Sequence, residues 1–149
     1  MLKTKLIHPQ ILEALASSGH FSQVLIADGN FPVATCSNPL SKKVFLNLAP
    51  GILNCTQVLS AIMDVIVIQE ATVMTPPEDY KPAIHDEYRA MLGAGVAWSD
   101  MERWAFYDKI KSANTSLIIA TGEQLRFANL LLTIGVVKTG GREFLRGKP

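Results

Sequence analysis

The sequence predicts a layered α/β domain built on a largely parallel or mixed central sheet, and three observations predict it. Short apolar runs of strand length recur between clusters of Gly, Pro, Asn and Asp. Between them lie stretches whose apolar residues return every three or four positions, the period of a helix with one buried face. Hydrophobic residues make up 48% of the 149-residue chain and charged residues 18%, a balance that supports one sizeable core.

Pro9 suits a first helical turn, and Ile11, Leu12, Leu15 and Ala16 recur at helical spacing until Ser17, Ser18 and Gly19 stop the helix. Gly19 is the expected C-terminal cap. Val24 to Ala27 is an apolar run too short for a helix, hence a core strand, and Asp28, Gly29, Asn30 and Pro32 supply the turn after it. A polar connection from Cys36 to Lys43 leads to a second strand, Val44 to Ala49, closed by Pro50 and Gly51. Asn54 is a fitting N-cap for a helix marked by Val58, Leu59, Ile62, Met63 and Ile66.

Val65 to Met74 is rich in β-branched residues and reads as a long strand that must accommodate Glu70. After Pro76 and Pro77, Glu78 to Leu92 reads as a helix with Tyr80, Ile84, Tyr88, Met91 and Leu92 as its buried stripe, broken by Gly93 and Gly95. The stretch from Asp100 is either a short strand entering a helix or helix throughout, with Ser99 or Asp100 as its cap. Ser116 to Ala120 and Leu130 to Ile134 are two further strands. Residues 139–149 form a basic, glycine-rich tail, frayed or bound at an interface, and the whole chain, 1–149, is taken as one domain.

A formal net charge of +1 without a Lys/Arg run argues against nucleic acid as a partner. Asp64, Gln69 and Glu70 interrupt the most apolar region, so no membrane helix is expected and a cytoplasmic protein is. Cys36 and Cys55 are the only cysteines and form no CxxC pair, which points to two reduced, partly buried thiols rather than a metal site or disulfide. The Gly93–Ala94–Gly95 triplet follows a helix rather than a strand and lacks a third glycine, so it is no dinucleotide fingerprint.

Chemistry concentrates around the first strand. His20 stands at its entrance and Asp28 at its exit, where open α/β sheets bind ligands. A proton-carrying imidazole and a carboxylate are thereby expected to share one pocket. Trp104 and Tyr107 are either core aromatics or ligand-stacking groups, Asn129 either satisfies a turn or binds a ligand, and Arg103 is either a ligand donor or an ion-pair partner. His8 and His85 read as solvated surface. Phe31 and Leu40 look exposed in polar loops and could bury surface between subunits.

Three stretches, GHFSQVLIADGNFP from Gly19, RWAFYDKIKSA from Arg103 and TGEQLRFANLLLTIGV from Thr121, together resemble the ribose and fucose mutarotase family, the fucose branch more closely. The resemblance spans the chain in order from the first helix to Val136. It implies a three-layer α/β/α fold, ring-like homo-oligomers, commonly decamers, with sugar sites near subunit contacts, and interconversion of anomers or ring forms of free monosaccharides without cofactor or metal. It further implies that His20 is the acid/base histidine, with Asp28 binding sugar beside it and Arg103 contacting the sugar. Tyr107 stands where the ribose branch has a histidine, and Phe127, Ala128 and Asn129 match a triplet that begins with tyrosine in the family. Phenylalanine at 127 keeps a stacking face and drops a proton-transferring hydroxyl. Either Tyr107 or water then replaces that hydroxyl, so the resemblance implies catalysis by His20, Asp28 and Tyr107, and the runner-up, in which catalysis is lost, is a non-catalytic monosaccharide-binding accessory oligomer. A purely structural assembly protein, in which His20 and Asp28 would be unrelated, is the third reading.

Overall fold

The computed structural model describes residues 1–138, and the expected basic tail lies outside the described residues. The elements run α1 (Pro9–Ser17), β1 (Gln23–Ala27), β2 (Lys42–Phe45), α2 (Cys55–Ile62), β3 (Ile68–Met74), α3 (Ala83–Leu92), β4 (Ala97–Met101), α4 (Arg103–Ile110), β5 (Thr115–Ala120) and β6 (Leu130–Ile134). The six strands form one mixed sheet in the order β2-β5-β1-β6-β3-β4. β2, β5 and β1 are parallel neighbours, as are β3 and β4, and β6 runs antiparallel between β1 and β3.

The expected α/β/α layering is present. Because side chains alternate across a strand, Val24 and Ile26 face one way with Val73, Ile119 and Leu132, and pack against Ile11 and Leu15 of α1, Leu59 and Ile62 of α2, and Ile84 and Tyr88 of α3. Leu25 and Ala27 face the other way with Met74, Ile118 and Leu131, under Phe106 and Ile110 of α4 and the loop carrying Phe31, Val33 and Cys36. All five residues of β1 and of β6 are buried, as befits central strands covered on both faces.

Asn54 caps α2 as expected: its side chain accepts from the Gln57 N–H while the Gln57 side chain accepts from the Asn54 N–H, a reciprocal capping box. Several boundaries differ from the sequence expectation. The second strand occupies Lys42–Phe45 rather than Val44 to Ala49, because its ladder with β5 is exhausted at Ala120 and the chain then turns at Ala49–Ile52. β3 starts at Ile68 instead of Val65, since Val65 and Ile66 still bond back to Ile62. α3 starts at Ala83, behind Pro82, rather than at Glu78. Ser99 and Asp100 belong to β4, and Glu102 caps α4 by accepting from the N–H groups of Trp104 and Ala105. Ser18 rather than Gly19 is the C-cap of α1.

Candidate active site at the carboxyl edge of the sheet

The antiparallel course of β6 builds the site. Ile26 pairs with Leu130, so the residue after β1 and the residue before β6, far apart in sequence, become neighbours at one sheet edge. There the Asp28 N–H donates to Asn129 Oδ1 at 3.0 Å, and Asn129 Nδ2 donates to Asp28 Oδ2 at 2.7 Å. The other carboxylate oxygen accepts from the Asn30 N–H at 2.9 Å. Both side chains are buried, and this reciprocal clamp fixes the orientation of each.

The clamp lies in the wall of a cavity of about 390 Å³ lined by Asp28, Asn30, Phe31, Met74, Arg103, Tyr107, Arg126, Phe127 and Asn129. Burial pushes the Asp28 carboxyl above the usual carboxylate range, against the opposing pull of the backbone N–H groups of Asn30, Phe31 and Ala128, while Glu123 raises it further. Burial also raises the Tyr107 phenol, with Arg103 acting in the opposite direction, so Tyr107 carries its proton at neutral pH. Its ring sits edge-on to Phe31 at 5.1 Å. Arg103 and Arg126 stand over the Phe127 ring at 5.8 and 5.6 Å, and Arg126 also covers Tyr80.

The loop that delivers Phe127 is tied at several points. Glu123, buried, accepts from the N–H groups of Cys55, Gln124 and Leu125. Cys55, whose thiol burial pushes up to about 12, contacts the Thr121 hydroxyl at 3.4 Å. Phe127 itself has φ 60°, a left-handed backbone that a bulky residue adopts only where its surroundings impose it, at a cost of order 1–3 kcal/mol. His85 Nε2 bonds the Phe127 carbonyl at 2.8 Å and the Tyr88 hydroxyl donates to the Ala128 carbonyl at 2.7 Å.

Of the residues expected to act, Asp28, Arg103, Tyr107, Phe127 and Asn129 share this cavity, and Ala128 is buried behind it. His20 does not join them in the same chain. It precedes β1 and lies at the opposite edge of the sheet, exposed, bonded to Gln69 Oε1 at 3.0 Å and stacked on Phe21 at 3.9 Å. Its surroundings are Ile134, Gly135 and Val67, at the far ends of β6 and β3. His85, expected on the solvated surface, is 5% exposed, because the Phe127 carbonyl offers it a partner. Phe31, expected to be exposed, is 6% exposed and forms part of the pocket, whereas Leu40 is exposed as expected. Trp104 is neither core nor in the cavity wall: it is largely exposed, edge-on to Tyr107. Sequence reasoning missed Asn30, read only as a turn residue, together with Arg126 and Met74; the position of Arg126, directly before the Phe127–Asn129 triplet, was the available signal.

The RbsD / FucU transport protein family matches residues 1–137. The fucose mutarotase of Bos taurus is 33% identical over 144 residues, 89% of this chain and 90% of that protein. The D-ribose pyranase of Geobacillus kaustophilus is 28% identical, over 91% of this chain and 95% of that one. The crystal structure of the fucose mutarotase from Streptococcus pneumoniae in complex with L-fucose superposes with a TM-score of 0.78 at 26% identity, covering 93% of this chain and all of that one.

Proposed function

The chain belongs to the RbsD / FucU transport protein family, and on that premise we propose that it is an isomerase, a mutarotase interconverting anomers or ring forms of a free fucose-like or ribose-like monosaccharide. The observation that carries the reading is the Asp28–Asn129 clamp, which shares with Tyr107 and Arg103 a cavity large enough for one sugar ring. Opening a pyranose moves one proton onto the ring oxygen and one off the anomeric hydroxyl; closing the ring on the other face reverses both. The bond between C1 and the ring oxygen breaks as the C1 carbonyl forms, with no net oxidation and no group transferred, so the reaction is written without cofactor or metal. Tyr107, protonated at neutral pH, is suited to donate to the ring oxygen, and Asp28 or His20 to accept from the anomeric hydroxyl. Such acid–base assistance is worth about 10² to 10⁴ in rate. Arg103, Asn30 and Asn129 supply donors and acceptors for the sugar hydroxyls, and Phe127 supplies a ring face.

His20 serves this chemistry in an assembly. The five-residue β1 separates it from the Asp28 cavity by about 15 Å, so the His20 that acts belongs to a neighbouring copy in a ring-like, decamer-type homo-oligomer in the cytoplasm. Exposed Phe21, Val67 and Val137 near it give that edge an apolar surface for a second copy to cover. The described residues, 1–138, form one domain of that ring. Among the described residues no helix is long and apolar enough to cross a membrane.

A second reading, a non-catalytic monosaccharide-binding oligomer, is favoured by one feature: Phe127 brings no hydroxyl to the cavity. Saturation-transfer NMR on a panel of free aldoses separates the two. Exchange between anomers accelerated at catalytic protein concentration supports the isomerase; binding without acceleration for every aldose selects the binder; no binding rejects both.

A further inference from the structure

We propose that His85 is a positioning residue of the sugar pocket, holding the Phe127 carbonyl so that the left-handed Phe127 backbone keeps its ring in the cavity wall. The inference rests on the pocket reading above and assigns a role to a side chain that touches no sugar.

Geometry supports it at each link. His85 and Tyr88 are three residues apart in α3 and lie on one helix face. From that face they bond two consecutive carbonyls, His85 that of Phe127 and Tyr88 that of Ala128. The next residue, Asn129, is locked to Asp28. Three successive residues are thus tethered, and α3 supplies two of the tethers. A carbonyl oxygen only accepts, so Nε2 must carry the proton, which fixes the tautomer. The imidazole is buried against Trp98, edge-on at 5.9 Å, and Arg89 covers Trp98 at 4.0 Å. The charged groups around it are Arg89 and Asp86 of α3 and Asp100 of β4, and burial keeps the ring neutral at pH 7. On the far side of Phe127, Arg103 and Arg126 lie over its ring, so a backbone relaxation at 127 would displace the surface on which both guanidinium groups rest.

Two substitutions test this. His85→Phe keeps an aromatic ring beside Trp98 but removes the donor; His85→Gln keeps an N–H donor at similar reach. Two readouts are taken: the ring resonances of Phe127 without sugar, using ring-labelled phenylalanine assigned through Phe127→Leu, and the affinity for whichever aldose the wild type binds. His85→Phe is expected to move the Phe127 resonances and weaken sugar binding about tenfold, the scale of one hydrogen bond, while His85→Gln retains most of both. Should His85→Phe not fold, His85→Asn, whose shorter amide cannot reach the carbonyl, takes its place. A lowered unfolding midpoint with unmoved Phe127 resonances and unchanged affinity would overturn the proposal, as would equal losses in the Gln and Phe variants. If the wild type binds no aldose, the functional reading fails, yet the Phe127 resonances still decide whether His85 positions that ring.

Discussion

Replacing Asn129 by alanine should be one of the costliest single truncations in this fold. The side chain makes two hydrogen bonds to the same residue, accepting from the Asp28 N–H at 3.0 Å and donating to Asp28 Oδ2 at 2.7 Å. Asn129 is 2% exposed and Asp28 4%, so water does not replace either partner without rearrangement. A neutral hydrogen bond contributes about 1 kcal/mol and one to a charged group about 1.5–3, and orphaning the buried partners makes the cost bear fully on the folded state, for a total of about 3–5 kcal/mol. For a chain of this size that corresponds to a fall in Tm of roughly 10 °C. Losing the Nδ2 donor also drives the already raised Asp28 carboxyl higher, so sugar affinity should weaken most at the pH where Asp28 is otherwise ionised. Urea denaturation with a parallel sugar titration reads both effects. A stability loss below about 1 kcal/mol would refute the claim that the clamp is dry and reciprocal.

Gly122→Ala should also be severe, since its added Cβ would lie 2.4 Å from the carbonyl oxygens of both Ala49 and Ile52; overpacking of this kind costs about 1–3 kcal/mol or more, measurable as a lowered denaturation midpoint, and a neutral result would show that the 49–52 turn yields freely. Phe127→Tyr should raise the rate of anomer exchange, by up to the hundredfold or more that one acid/base group supplies, and less if Tyr107 already serves; an unchanged rate in both Phe127→Tyr and Tyr107→Phe would remove phenols from the chemistry. The pH dependence of stability should carry two opposite signatures. Burial lowers the His85 pKa from 6.5, so the unfolded chain binds the extra proton first and stability should drop as pH falls from 6.5 through the folded value. Burial raises the Asp28 pKa from 3.8, so its contribution is present below 3.8 and is lost as pH rises through the folded value. Denaturation midpoints across pH 3–8 for wild type, His85→Gln and Asp28→Asn check each slope by its disappearance.

The central strands and the Asn54 capping box were legible because they depend on local pattern: four consecutive apolar residues in β1, and a polar cap three residues ahead of Gln57. Boundaries were not, where ladder pairing decides them. Val65 has strand propensity, but its N–H is spent on Ile62. The burial of His85 was invisible because its partner is a backbone carbonyl 42 positions away, which no side-chain pattern announces. Asp28, Arg103, Tyr107 and Asn129 were grouped through resemblance, and the fold gives a physical reason for their meeting: Asp28 and Asn129 flank the paired strands β1 and β6, and Arg103 and Tyr107 of α4 line the same cavity. The separation of His20 from Asp28 was legible in principle, since residues at opposite ends of one extended strand cannot line one cavity.

The place of β1 in the sheet has a consequence for synthesis on the ribosome. Both of its hydrogen-bonding edges are satisfied by the last quarter of the chain: Gln23 pairs with Thr115 on one side and with Thr133 on the other. Until those residues emerge, Val24, Leu25, Ile26 and Ala27 form a nascent apolar segment with two open edges, the kind of strand that templates association with other chains. The turn signals that flank it, Gly19 before and Gly29 with Pro32 after, confine that hazard to one short window. A chain stalled before residue 115 exposes this window, while completion of β6 closes the window and assembles the Asp28–Asn129 pair in the same event.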